Sequence, residues 1–322
     1  MPPESRPARV VADGPLARDI VELAGDRVSW LPWQTALEGS REPVDGLYTY
    51  GHPRVDGAML DRLPGLRVIS NYGVGVDHIN LPDAAARGIP VGNTPGILDG
   101  ATADMGFTLL LAAARRLVEG DRYARSPEFT TYDPGYLLGR EVHHSTLGII
   151  GLGRIGRQVA RRARAFDMTV LYCNRHRLAD AESELGVVHV TRDELLARSD
   201  YVMLCCPLTN ETTRLIDSKA LSRMKPTATL INLARGAVVD TTALTDALER
   251  GQIACAALDV TDPEPLPRDH RLLQLPNVVI APHLGSATVE TRRRMAEMSV
   301  ENLFEGLAGR PLPHAVTASP AA

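Results

Sequence analysis

The sequence predicts an α/β protein: parallel sheets with helices on both faces, and one such unit inserted into a second domain. Three observations carry this. Short runs rich in Val and Ile alternate with helix-forming stretches along most of the chain, as in strands joined by crossover helices. A glycine turn, Gly151-Leu152-Gly153-Arg154-Ile155-Gly156, stands between such a strand and a helix. That turn lies mid-chain, behind a complete strand–helix region, so the unit it opens interrupts a domain whose last helix comes from the C-terminal end. At 322 residues, and roughly 150 per domain, two domains are expected. The expected division is 1–99 with 287–322 for one and 100–286 for the other.

Taken in order, residues 8–12 and 66–70 read as strands. Residues 81–92 read as a short helix, a stop at Gly88 and another strand. The apolar stretch 100–118 is rich in helix formers and is expected to be one substantial buried helix. Residues 120–144 carry Pro127, Pro134 and several aromatics without strand periodicity, and read as an excursion. Strands are then expected at 146–150, 169–173, 201–205, 229–232, 253–257 and 278–281, with a final helix over 287–307. The Pro- and Ala-rich tail after it is expected to fray.

Composition narrows the function. The net charge of −4 excludes a broad basic face for nucleic acid. Lys219 and Lys225 are the only lysines, which leaves few candidates for Schiff-base chemistry. Cys173, Cys205, Cys206 and Cys255 form no C-x-x-C and no Cys/His cluster with zinc spacing, so no metal is expected and reduced, buried thiols are. The N-terminal residues reach no signal-type apolar region, and no stretch approaches the ~20 apolar residues of a membrane span. The cytoplasm is the expected location, with no membrane partner.

The glycine turn carries the first chemistry. Alone, G-x-G-x-x-G is weak; between a strand, a helix and a second strand it points to a dinucleotide. Gly151 permits the tight turn, Gly153 lets the backbone approach a pyrophosphate, and Gly156 lets helix and strand pack closely. The helix start at Arg154 and Ile155 offers N–H groups to phosphate. NAD sites usually end the second strand on an acidic residue that holds the ribose 2′-hydroxyl. Here it ends Cys173-Asn174-Arg175-His176-Arg177. With no carboxylate, and with Arg175 and Arg177 suited to a phosphate, the turn favours NADP(H), with NAD(H) possible. The alternative is a solvated basic loop.

Three further groups each follow an expected strand: Arg235 in "NLARG", Glu264 between Pro263 and Pro265, and His283 in "PHLGSAT". In open α/β sheets, ligands bind beyond the carboxyl ends of the strands. Reduction of a ketone needs a proton for the developing alkoxide, which His suits. A carboxylate on the other ring nitrogen, Glu264, would fix its tautomer, and Arg235 would grip a keto acid's carboxylate through a planar fork.

These motifs, with "LDVTDPEPLP" at 258–267, resemble the D-isomer-specific 2-hydroxyacid dehydrogenases, and within them the glyoxylate/hydroxypyruvate reductases. The resemblance runs from about Gly46 to Pro313. It implies two Rossmann-like lobes, a doubly wound cofactor domain inserted into a flavodoxin-like substrate domain, and a homodimer. It implies Arg235, Glu264 and His283 as the catalytic set and backbone contacts to the substrate carboxylate from Val74 and Gly75; Ser286 completes the substrate set. Thr102, Pro207, Thr212, Leu233 and Asp259 match cofactor-contacting positions, with Cys206 and Gly285 beside them. The excursion would pack on the partner subunit, with Tyr136 near the partner's substrate site. The expected activity is NADPH-dependent reduction of glyoxylate or hydroxypyruvate to the D-2-hydroxy acid. Alternatives are another 2-hydroxy acid, phosphite (whose oxidisers carry a Lys in the stretch matching 71–77, absent here), or a nucleotide-sensing corepressor-like protein.

Overall fold

The computed structural model describes residues 6–316; the start of the chain read for a signal and the last residues of the tail lie outside it. The chain divides into two compact units, one of residues up to Leu98 together with those from Thr288, the other Asp99–Ala287.

In the first unit, strands β1 (Ala8–Ala12), β2 (Val28–Pro32), β3 (Gly46–Thr49), β4 (Val68–Asn71) and β5 (Val91–Gly92) form a parallel sheet in the order β2-β1-β3-β4-β5. The sequence reading lacked β2 and β3. β3 is four fully buried residues beginning at a glycine, too short to show a period. Gly46 is there because a Cβ would stand 3.1 Å from the Leu303 side chain. Leu303 belongs to the final helix, Val289–Leu307, which Thr288 caps by accepting the Thr291 N–H. Such a cap contributes about 1 kcal/mol. The helix is tied to the sheet by the buried Tyr48 hydroxyl–Ser299 Oγ contact at 2.7 Å and by Ser70 Oγ donating to the Ser299 carbonyl, also at 2.7 Å. The described part of the tail does not fray. Val316 N–H donates to the Val91 carbonyl and Ala315 bridges antiparallel to Gly92, because the free edge of β5 offers unpaired backbone groups.

The second unit holds β6 (Thr146–Ile150), β7 (Thr169–Cys173), β8 (Val188–His189), β9 (Tyr201–Leu204), β10 (Thr229–Asn232), β11 (Cys255–Leu258) and β12 (Val278–Ile280). All are parallel, in the order β12-β11-β10-β9-β6-β7-β8. In order of appearance within the unit this is 3-2-1-4-5-6-7, the doubly wound arrangement whose switch point falls between the first and fourth strands, here β6 and β9. Every carboxyl end therefore lies on one edge. Strand ends differ from expectation by a residue or two: β9 stops at Leu204 and β11 runs to Leu258.

The long helix is shorter than expected. It spans Asp99–Ala114, after which Arg116 takes a left-handed conformation (φ 51°) and a second helix, Leu117–Ala124, begins. The Ala114 carbonyl accepts the Arg140 N–H at 2.8 Å, so the returning excursion caps the first helix. Leu117 is 64% exposed, which leaves nothing to hold the chain on the core. The rest of the excursion has no strand, and the Tyr123 ring clusters with those of Phe129 and Tyr136.

Candidate active site

The glycine turn follows β6 at the switch point. Gly151 has φ +98°, and a Cβ on it would meet Cys206 N at 2.5 Å; both facts demand glycine. A Cβ on Gly156 would lie 2.3 Å from the Gly151 carbonyl oxygen, so helix Arg154–Ala165 sits directly on the turn. Gly153 differs: a Cβ there would meet nothing within 4 Å. Its backbone faces open space at the start of a helix that no side chain caps, where N–H groups and the helix dipole favour an anion. Arg154 and Ile155 form the first turn, and Arg154 opposes the upward push that burial gives the Asp99 carboxyl. These residues fit a dinucleotide pyrophosphate.

At the end of β7, Asn174 Oδ1 accepts the Leu152 N–H at 2.7 Å, so the side chain expected to face the ribose also braces the glycine turn. Arg177 donates from Nε and Nη2, one edge of its guanidinium, to both carboxylate oxygens of Glu182 at 2.6–3.1 Å. That pairing, and then the Tyr172 hydroxyl, hold the Glu182 carboxyl down at about 2. Arg175 meets Glu211 at 3.8 Å between two exposed side chains, a weak pair that solvent screens. Of the two guanidiniums, Arg175 is the one readily redirected. Glu182 was not foreseen; its spacing of five residues from Arg177 was the available signal.

Arg235, Glu264 and His283 follow β10, β11 and β12, three neighbouring strands. Asn232, buried at the end of β10, donates from Nδ2 to the Arg235 carbonyl (2.9 Å) and accepts the Ala234 N–H (3.0 Å), which shapes the turn presenting Arg235. This role was also unforeseen. Gly236 packs against the loop after β11, where a Cβ would stand 1.9 Å from the Thr261 oxygen. Glu264, in that loop, accepts the Thr261 N–H on Oε2 (3.4 Å) and meets His283 Nδ1 with Oε1 at 2.8 Å.

Asp259 anchors the His283 turn. It is 2% exposed. Its carboxylate accepts the Leu284 N–H at 2.6 Å and the Gly285 N–H at 2.8 Å, and its carbonyl accepts the His283 N–H at 2.8 Å. Burial pushes this carboxyl up and the two N–H bonds oppose it. His283 is thereby held at φ +55°. Gly285 brings Thr102 and Asp259 to one point, since a Cβ on it would meet both within 3.2 Å. Ser286 follows, half-buried.

The remaining expected positions divide. Thr212 Oγ1 donates to the Pro207 carbonyl at 2.7 Å, fixing the loop after β9. Cys206 is buried beside Gly151, with its thiol pushed up to about 11 by burial. The Leu233 side chain is packed into the core, against Gly106 of helix Asp99–Ala114, so only its backbone is available to a ligand. Val74 and Gly75 lie half-buried in the loop after β4, in the first unit. The four cysteines form no disulfide. Among the described residues there is no metal-binding cluster, and no helix is long and apolar enough to cross a membrane.

A sheet edge offering both a pyrophosphate cradle and an imidazole held by a carboxylate is the equipment of a nicotinamide-dependent oxidoreductase. The chain belongs to the D-isomer-specific 2-hydroxyacid dehydrogenases, whose NAD-binding-domain model matches residues 107–285. It is 48% identical over 278 residues to the glyoxylate reductase of Thermococcus gammatolerans, covering 85% of this chain and 83% of that one. It is 50% identical over 263 residues to the glyoxylate reductase of Korarchaeum cryptofilum, covering 81% and 79%. A solved structure of the NADPH-dependent glyoxylate/hydroxypyruvate reductase of Sinorhizobium meliloti, with NADP and malonate, matches with a TM-score of 0.87 at 31% identity over 97% of each chain.

Proposed function

We propose that the protein reduces a small 2-keto acid, glyoxylate or hydroxypyruvate, to the D-2-hydroxy acid at the expense of NADPH. The observation that carries this is the His283 Nδ1–Glu264 Oε1 contact at 2.8 Å, on the sheet edge that also bears the glycine turn. The first unit is the substrate domain in this reading, and the second holds the cofactor through the 151–156 turn, Asn174, Arg175 and the loops after β9 to β12. A bound reduced nicotinamide supplies the hydride. Arg235 grips the substrate carboxylate and draws charge toward the carbonyl oxygen. His283 gives its proton from Nε2 to that oxygen as it becomes an alkoxide. Glu264 is a positioning residue: its charge favours the imidazolium and keeps Nδ1 protonated. Initial rates with glyoxylate, hydroxypyruvate, pyruvate and a bulkier keto acid, each with NADPH and NADH, test the reading; no turnover of any 2-keto acid would refute it.

Glu264→Gln bears on the pairing. The amide can turn either its oxygen or its NH2 toward Nδ1, so the ring tautomer is no longer fixed and kcat should fall by about tenfold or more. A kcat within about twofold of the parent's would remove Glu264 from this role.

The same reading includes a cytoplasmic homodimer. The unpaired cysteines suit a reducing compartment. The excursion exposes Leu117 (64%), Tyr132 (78%) and Leu138 (70%) together with half-exposed Phe129 and Tyr136, an apolar set that a second subunit would cover. Light scattering at micromolar concentration should give twice the 34.8 kDa chain mass. A monomer would refute the dimer and, with it, a role for Tyr136 in the partner's site.

A further inference from the structure

The helix Ala179–Leu185 carries three carboxylates, Asp180, Glu182 and Glu184, and each holds an arginine. Asp180 accepts from Arg157 at 2.7 Å and Glu184 from Arg161 at 2.6 Å. Both partners lie on helix Arg154–Ala165, so these pairs tie helix to helix. Glu182 differs, because its partner, Arg177, belongs to the turn that follows β7. The carboxylate is the fixed member of this pair. Its Oε1 accepts the hydroxyl of Tyr172, a fully buried residue of β7, at 2.8 Å, and that hydroxyl in turn accepts the Leu178 N–H at 2.7 Å. The Glu182 side chain is 17% exposed and that of Arg177 68%. Arg177 therefore reaches from the surface back to a carboxylate anchored on the sheet. It offers that carboxylate its Nε–Nη2 edge, the fork that would otherwise match a phosphate.

We infer that Glu182 is a positioning residue for nucleotide selectivity: by holding Arg177 it withholds a second guanidinium from the 2′-phosphate, so the preference for NADPH is graded and NADH remains usable. The inference rests on the reading of the turn after β7 as the 2′-phosphate site. A phosphate arriving there finds Arg175 in a screened surface pair but must compete with Glu182 for Arg177. The competitor is part of the same chain, and its own negative charge opposes the phosphate. NADH carries no 2′-phosphate and is indifferent to the contest.

Calorimetric Kd values for 2′,5′-ADP and 5′-ADP isolate the 2′-phosphate without requiring turnover. They are compared in the parent, Glu182→Gln, Glu182→Ala, and Glu182→Gln combined with Arg177→Ala. In the Gln variant the amide oxygen can still accept the Tyr172 hydroxyl, which leaves an NH2 facing a guanidinium that has no acceptor for it. A charge-assisted bond is worth a factor of about 10–100, reduced by screening at an exposed site. Both single variants should therefore bind 2′,5′-ADP about 3- to 10-fold more tightly, with the Kd of 5′-ADP within about twofold of the parent's. The kcat/KM ratio of NADPH over NADH should rise by the same factor. Adding Arg177→Ala should cancel the gain, since it removes the group that was released. A merely structural role would move both nucleotides together. That result, an unchanged or weaker affinity for 2′,5′-ADP, or a gain that persists without Arg177 overturns the inference, while a parent that prefers 2′,5′-ADP upholds the cofactor reading. If neither the parent nor the Glu182 variants distinguish the two nucleotides, the NADPH preference and the inference fall together.

Discussion

His283→Ala should lower kcat by about 10²–10⁴-fold, the usual contribution of a positioned general acid, with the Kd of NADPH within about twofold of the parent. The two effects separate because the backbone around residue 283 is held by Asp259, which accepts the N–H groups of His283, Leu284 and Gly285. The turn should survive loss of the ring. Ala at φ +55° is less well accommodated than Asn, which tolerates the left-handed region, so His283→Asn serves as the second variant. Rapid-mixing rates with glyoxylate and fluorescence titration with NADPH make the measurement. A kcat within tenfold of the parent in both variants would mean that the proton comes from elsewhere.

NADPH should be preferred over NADH by at least about tenfold in kcat/KM. A charge-assisted hydrogen bond to the 2′-phosphate is worth roughly 1.5–3 kcal/mol, a factor of about 10–100. On the proposed reading Arg175 supplies it, because Arg177 is already paired with Glu182 through Nε and Nη2. Asn174→Asp combined with Arg175→Ala should shrink or reverse the ratio. The aspartate keeps an oxygen for the Leu152 N–H, so the glycine turn stays intact while the new charge repels phosphate and accepts from a ribose hydroxyl. The change should fall mainly on the cofactor KM, since the phosphate is remote from the reacting carbon and its binding is uniform through the reaction. A parent that prefers NADH would leave the basic turn as a solvated surface loop.

Several features were legible in the chain because they are local. Each strand of the second unit that precedes a candidate site residue is a short apolar run, and the residue follows it within a few positions, so parallel pairing alone puts Gly151, Asn174, Arg235, Asp259 and His283 on one edge. The three glycines of the turn were likewise readable, since their reasons lie in backbone geometry. β3 escaped notice because four buried residues show no period, and the long helix was overextended because Leu117 and Val118 are apolar in sequence yet exposed in the fold.

The sequence by itself determined the doubly wound unit, the dinucleotide turn and the identity of the Arg, Glu and His, since strand-length apolar runs and glycine spacing act over a few residues. Only the tertiary structure decided which of these groups hold one another. Glu264 meets His283 across 19 residues, Asp259 reaches Leu284 across 25, and Asn174 braces Leu152 across 22. Such bonds depend on which strands lie side by side, and hydrogen-bond energy falls away within a few tenths of an ångström and a few tens of degrees, finer than any pattern of residue types can specify.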